Sequence, residues 1–128
     1  MIEESEMGDL PLVFVPGLMC DHAVWDPLLP YLPSRCESRV VDHGHADTLE
    51  HMAIQLLKAA PSQFLIAGHS MGARVALEVV RLAPERVGGV ALLDTGYLPK
   101  ASGSAGEEEV GKRLKLLHKA QTEGVRAM

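Results

Sequence analysis

The sequence predicts an α/β fold, an open parallel sheet of four strands with helices on both faces. Three features point there. Four short apolar runs recur along the chain, at residues 12–15, 38–41, 64–67 and 90–93. They are mostly continuous rather than alternating in hydrophobicity, as in strands covered on both sides. Helical apolar patterns lie between them, and strand–helix repeats favour parallel strands joined by right-handed crossovers.

Leu12-Val13-Phe14-Val15 is the first strand, closed by Pro16-Gly17. Residues 24–32 read as a short helix that Pro27 and Pro30 confine to a turn or two. Ser38-Arg39-Val40-Val41 is a weaker strand, closed by Asp42-His43-Gly44. Asp47 and Glu50 have capping-box spacing, which makes Asp47 the expected N-cap. Leu49, Met52, Ala53, Leu56, Leu57 and Ala60 then form an apolar stripe, and Pro61 ends it. The third strand, Phe64-Leu65-Ile66-Ala67, stops at Gly68. A helix over about 70–83 turns Val75, Ala76, Val79, Val80 and Ala83 inward, with Pro84 as its stop. Val90-Ala91-Leu92-Leu93 is the fourth strand, closed by Asp94. Residues 101–106, Ala-Ser-Gly-Ser-Ala-Gly, read as a flexible joint. Beyond them Val110, Leu114, Leu117 and Gln121 mark an amphipathic helix that needs a surface to lie against.

The chain has 128 residues, with 12 basic against 17 acidic side chains and a net charge of −5. That length permits one domain with a real core. The acidic balance, without a basic run, argues against nucleic acid as a partner. No apolar stretch approaches the ~20 residues that span a bilayer, so no membrane partner is expected. The acidic start, Met1-Ile2-Glu3-Glu4-Ser5-Glu6, lacks the plan of a secretory leader, and a cytoplasmic protein is expected. Cys20 and Cys36 should be free thiols, because they lie toward opposite ends of neighbouring parallel strands, about 15 Å apart. His43-Gly44-His45 is the one close histidine pair; it lacks metal-ligand spacing and reads as a polar loop. No metal site is expected.

The chemistry is concentrated where the third strand meets the next helix. Gly68-His69-Ser70-Met71-Gly72-Ala73 is G-x-S-x-G between a strand and a helix, the setting of a nucleophile elbow. A serine on so tight a turn has strained backbone angles, and only glycine fits two positions either side. Ser70 is thus the candidate nucleophile, with Gly68 and Gly72 as the small residues of the elbow. An acyl-transfer serine also needs two backbone N–H groups aimed at the developing oxyanion. Met71, after the nucleophile, and Leu18, after Pro16-Gly17, are the expected donors.

On these residues, with Trp25 near the first helix and Ala91-Leu92-Leu93-Asp94, the chain resembles the alpha/beta-hydrolase superfamily. It looks most like the small esterase, enol-lactonase and thioesterase-like members, and the likeness runs from Leu12 to about Asp94. The resemblance implies a partial core over residues 1–98, with spatial strand order second, first, third, fourth. Residues 99–128 would hold the joint and the first lid helix. It also implies hydrolysis of a carboxylic ester, thioester or lactone through an acyl-enzyme on Ser70, with no cofactor and a small-molecule substrate. Gly17, His22, Trp25 and His69 would surround the substrate pocket, the His69 ring itself turning away from the active face. Asp94 is the candidate acid. The family's triad runs Ser, acid, His along the chain. Here the only histidine after Ser70 is His118, on the charged helix, where it reads as a surface residue. The expectation is therefore a truncated hydrolase, poorly active alone and prone to self-association through an unguarded fourth strand. The alternative is a catalytically degenerate binding or regulatory protein of the same fold. A nucleotide-binding sheet is excluded by the absence of G-x-G-x-x-G and of a Gly-Lys-Ser/Thr loop.

Overall fold

A computed structural model describes residues 9–128, and the acidic segment at positions 1–6 lies outside the described residues. The chain divides into two compact units, one ending at Gly96 and the other spanning Tyr97–Met128. Among the described residues no helix is long and apolar enough to cross a membrane.

The first unit holds β1 (Leu12–Val15), β2 (Ser38–Val40), β3 (Phe64–His69) and β4 (Val87–Leu93). They form one parallel sheet in the order β2-β1-β3-β4. Val13 faces Arg39 on one side and Ile66 on the other, so β1 is central. The β3–β4 register slips between Phe64 and Leu65, where β4 carries an extra glycine. The helices are α1 (Leu49–Ala59) and α2 (Met71–Leu82).

The strand order decides which face each connection covers. The chain passes from β1 to β2 in one direction across the sheet, then from β2 to β3 and β3 to β4 in the other. Right-handed crossovers must then lie on opposite faces. Accordingly α1 and α2 share one face, where Met52, Ala53, Leu56, Val75, Ala76 and Val79 bury against Val13, Val15, Phe64 and Ile66. The opposite face is covered by the β1–β2 connection, whose Trp25 packs on Phe14 and Ala67. That connection holds two single 3-10 turns, His22–Val24 and Leu29–Tyr31, where a short helix was expected. Its prolines permit no longer run. Connections leaving β1 and β3 toward opposite faces open a crevice beyond the carboxyl ends of these strands, where α/β sheets place ligands.

Two further expectations are corrected, and a third, the free thiols, is met. The N-cap of α1 is Thr48, not Asp47: its Oγ1 accepts from the His51 N–H at 3.1 Å. The continuous apolar run of β4 does not mark a strand covered on both faces, since Val90, Leu92 and Leu93 are each more than 40% exposed. β4 is the sheet's margin, and its apolar side chains lack a second layer. Cys20 and Cys36 are free thiols.

Arg86, at the start of β4, ties the far end of α1 to the sheet. Its guanidinium donates to the carbonyls of Leu57, Ala60, Pro61 and Ser62, at 2.7–3.2 Å. These include carbonyls that a helix C-terminus leaves without partners. The same group stands 5.7 Å from the Phe64 ring centre.

The second unit is α3 (Gly103–Glu123) with a closing 3-10 turn, Val125–Ala127. The helix begins inside the segment expected to be a flexible joint. Its first turns are close-packed: Gly106 sits against the Ala101 carbonyl, where a Cβ would collide. Glu108–Lys112 and Glu109–Arg113 pairs, at 3.1 and 2.7 Å, support its exposed face.

Candidate active site

Ser70 is the hinge between β3 and α2, with φ 55° and ψ −119°. The turn is possible because its flanks are glycine. A Cβ at position 68 would strike the Gly72 carbonyl and the Ala73 backbone, and one at 72 would strike the Val15 carbonyl. Helix α2 can therefore start directly against β1, and the Ser70 side chain stays exposed. Neighbouring strands hold the turn. The Ser70 N–H donates to the Leu93 carbonyl at 3.0 Å, and the Thr95 hydroxyl donates to the Ser70 carbonyl at 3.0 Å.

Backbone strain gathers at this edge of the sheet. Met19, Ser70 and Asp94, at φ 60°, 55° and 50°, are the non-glycine residues with left-handed φ among those described. Each follows the carboxyl end of a different strand. Strain of this kind costs about 1–3 kcal/mol per residue and collects at functional sites.

The two expected oxyanion donors also lie at this edge. Neither the Leu18 nor the Met71 backbone N–H donates to a protein acceptor among the described residues. Both residues line a cavity of about 400 Å³ at the carboxyl ends of β1 and β2. Gly17 lies against the elbow: a Cβ there would be 3.2 Å from both the Ser70 Cβ and the His69 Nδ1.

The remaining residues are placed as follows. His69 was expected to turn away, yet its ring lies along Gly17, with Nε2 3.9 Å from an Asp94 carboxylate oxygen. That separation is too long for a hydrogen bond. The Asp94 carboxyl is almost fully exposed at the end of β4. His22 lines the cavity and pairs with Asp26 at 2.9 Å; this hydrogen bond raises its pKa above the ordinary histidine value. Trp25 is 3% exposed and belongs to the core, its ring 4.5 Å from that of Phe14. His118 lies on α3, in the second unit. The Ser70 hydroxyl has no hydrogen-bond partner among the described residues.

Two participants were not anticipated. Thr95 braces the elbow, and a single Thr after a strand carries no sequence signal for that. His43 lines the same cavity, with both ring nitrogens shut off from solvent and the Pro16 carbonyl close by. Burial lowers its pKa; the nearby Pro16 carbonyl and Asp42 pull less strongly the other way.

Comparison with known proteins identifies the family and the fold. Residues 12–126 match the model of the alpha/beta hydrolase family. The chain is 38% identical over 88 residues to a pimeloyl-[acyl-carrier protein] methyl ester esterase of Klebsiella pneumoniae (strain 342), covering 62% of this chain and 34% of that protein. A protein of the same name from Methylococcus capsulatus (strain ATCC 33009 / NCIMB 11132 / Bath) is 34% identical over 100 residues, covering 72% of this chain and 39% of its own length. The chain thus spans little more than a third of the curated relatives it matches. Among solved structures, a carboxylesterase from Nitrososphaera gargenis superposes with a TM-score of 0.72 at 20% identity, over 91% of this chain and 46% of that one. A thermophilic esterase from Thermogutta terrifontis gives 0.69 at 23%, over 90% and 46%. At that identity the structures speak for the fold.

Proposed function

The chain belongs to the alpha/beta hydrolase family, and from that premise we propose that it cleaves a carboxylic ester through an acyl-enzyme on Ser70. The observation that carries this reading is the left-handed Ser70 wedged between two glycines, beside two backbone N–H groups without protein acceptors. The Ser70 Oγ attacks the ester carbonyl, and the oxygen that gains charge receives the Leu18 and Met71 N–H groups. Each such donor is worth about 10²–10³ in rate. The positive end of α2 favours the same charge. The leaving alcohol departs, and water then hydrolyses the acyl-serine. Curated relatives named as methyl ester esterases favour an ester over a thioester or lactone.

Activation of the hydroxyl is the weak step. It needs a base within hydrogen-bond reach, itself oriented by an acid. Asp94 is the candidate acid, but no histidine hydrogen-bonds Ser70 among the described residues. An oxyanion hole without its triad partners retains roughly 10³–10⁴-fold over water. Slow acylation and slower turnover follow for this chain alone.

The test is a burst assay with p-nitrophenyl acetate, followed by intact mass and peptide mapping after a fluorophosphonate. The reading expects one adduct per chain on Ser70, lost in Ser70→Ala and unchanged in His118→Ala. An adduct elsewhere, or a rate that survives Ser70→Ala, overturns it. Ordinary enzyme rates abolished by His118→Ala would refute slow turnover from an incomplete triad.

A further inference from the structure

We propose that α3 is a homodimer interface, on which two copies of the chain pair antiparallel along Val110, Leu114 and Leu117. Leu114 and Leu117 are 58% and 52% exposed, and Val110 is half-buried. At 3.6 residues per turn, Val110, Leu114, Leu117 and Gln121 fall within about 60° of one another on the helix. Their spacing of four, three and four is that of a coiled-coil seam. The proposal is independent of whether Ser70 is acylated.

Two observations select a second copy as the occupant. The first is shape. At the N-terminal end of the stripe lies a cavity of about 400 Å³, walled by Lys100, Gly103, Gly106, Glu107, Val110 and Leu114. Gly103, Gly106, Glu107 and Val110 stand at i, i+3, i+4 and i+7, the four positions that form the hole for one knob. In an antiparallel pair whose twofold axis passes near Lys112, Leu117 of the second copy falls on that hole. Val110 of each copy then meets Leu114 of the other. The gap at one end and the leucine at the other fit each other twice, as an isologous contact requires.

The second is charge. Glu107, Glu108 and Glu109 come first along α3, and Lys112, Arg113, Lys115 and Lys119 follow. Antiparallel pairing lays the acidic run of one copy along the basic run of the other. Glu107 and His118 share one flank of the stripe, so the Glu107 carboxylate faces the His118 imidazole of the second copy. On the other flank each copy holds a Glu109–Arg113 pair at 2.7 Å, and the two pairs meet across the axis with opposite charges facing. Parallel pairing would set Glu107 on Glu107 and Arg113 on Arg113, and would align the two helix dipoles instead of opposing them. One helix face is a small contact by the standard of stable dimers. The dimer therefore forms at micromolar rather than nanomolar concentration.

Sedimentation equilibrium of the full chain carrying Val90→Lys, which blocks association through the β4 edge, tests the proposal. It should show a monomer–dimer equilibrium. Leu117→Gln should weaken that equilibrium by roughly a hundredfold, because each dimer loses two buried leucines. Leu116→Gln replaces a leucine that is 45% exposed but off the stripe, and should leave it unchanged. The Leu117 and Leu116 variants can be compared without Val90→Lys, so the test stands even where that variant fails to fold. Orientation is read by disulfide exchange in a Cys20→Ser/Cys36→Ser protein. Copies with Glu107→Cys, mixed with copies with His118→Cys in a glutathione buffer, should form the mixed 107–118 disulfide in preference to either homodisulfide. Homodisulfides in excess mean parallel pairing and overturn the proposal. So does equal association of the Leu117 and Leu116 variants. A monomer at every concentration overturns it as well, and protection of the α3 amides from hydrogen exchange in that monomer would assign the stripe to the chain's own first unit.

Discussion

Replacing Gly72 by alanine should be among the most damaging single-methyl changes in the chain. The added Cβ would fall on the Val15 carbonyl oxygen, with the Pro16 carbonyl oxygen at 2.6 Å and the Val15 carbonyl carbon at 2.7 Å. All three are backbone atoms of β1 and its exit, so no side-chain rotation relieves the overlap. Ordinary contact requires α2 to withdraw from β1 by about 1 Å, against a close-packed core. Overpacking costs about 1–3 kcal/mol where side chains can adjust; here the expectation is about 3 kcal/mol or more. For a unit of this size each kcal/mol moves Tm by ~4–8 °C, giving a drop of roughly 12–24 °C. Thermal melts by circular dichroism would measure it, with two glycines as controls. Gly44 has φ +56° but open space around it, so Gly44→Ala should cost only the left-handed strain, about 1–2 kcal/mol. Gly111 lies in α3 with nothing nearby, and Gly111→Ala should stabilise that helix by about 0.5–1 kcal/mol. A Gly72→Ala protein that melts like the parent would refute the close approach of α2 to β1, and with it the placement of the Met71 N–H.

Arg86→Met keeps the aliphatic stem but removes the donors to four carbonyls at the end of α1. Urea unfolding should show a loss of about 2–4 kcal/mol, and a change below 1 kcal/mol would mean that solvent satisfies those carbonyls equally well. The depressed pKa of His43 means that the unfolded chain binds a proton more readily just below pH 6.5. Stability present above that value should fall as pH drops toward the folded pKa, and His43→Phe should flatten this part of a Tm–pH curve. The exposed His22–Asp26 pair works in the opposite sense, losing its contribution as pH rises; His22→Ala separates the two. At the sheet margin, Val90 and Leu92 leave β4 apolar and unguarded. Sedimentation velocity should show concentration-dependent self-association that Val90→Lys suppresses, and a monomer at every concentration would show that this edge does not pair.

The strand pattern and the elbow were legible because their signals are local. Apolar runs closed by Pro-Gly or Gly mark strand ends, and glycine two positions either side of a serine records a steric demand that no other residue meets. The strand order came from the resemblance rather than from the residues. Finer features depended on non-local packing. Trp25 looked like a pocket residue because it follows the loop after β1, but the β1–β2 crossover lies on the opposite face and turns its ring onto Phe14. His43 looked like part of a polar loop, because nothing in Asp42-His43-Gly44 reveals that its ring nitrogens will be buried. The apolar run of β4 promised two covered faces, since a run of hydrophobic residues does not say whether a second layer exists. Residues 101–106 promised flexibility by composition, whereas α3 starts at Gly103 and packs Gly106 closely against the Ala101 carbonyl.

The order β2-β1-β3-β4 also sets a timetable for assembly. No strand pairs with its partner through a tight turn: β1 waits for β2 across a 22-residue connection, from position 16 to 37, and for β3 until position 64. Pairing of that range is slow, because loop-closure entropy is lost before any contact rewards it. As the chain emerges from the ribosome, β1 and β2 can meet first, but they form a two-stranded ribbon with one apolar face bare until α1 arrives. The elbow takes its shape still later, since the Ser70 N–H and carbonyl are held by Leu93 and Thr95. Ser70 is thus fixed in its strained form only after β4 has been made, and a nascent chain stalled before that point would display the motif without its geometry.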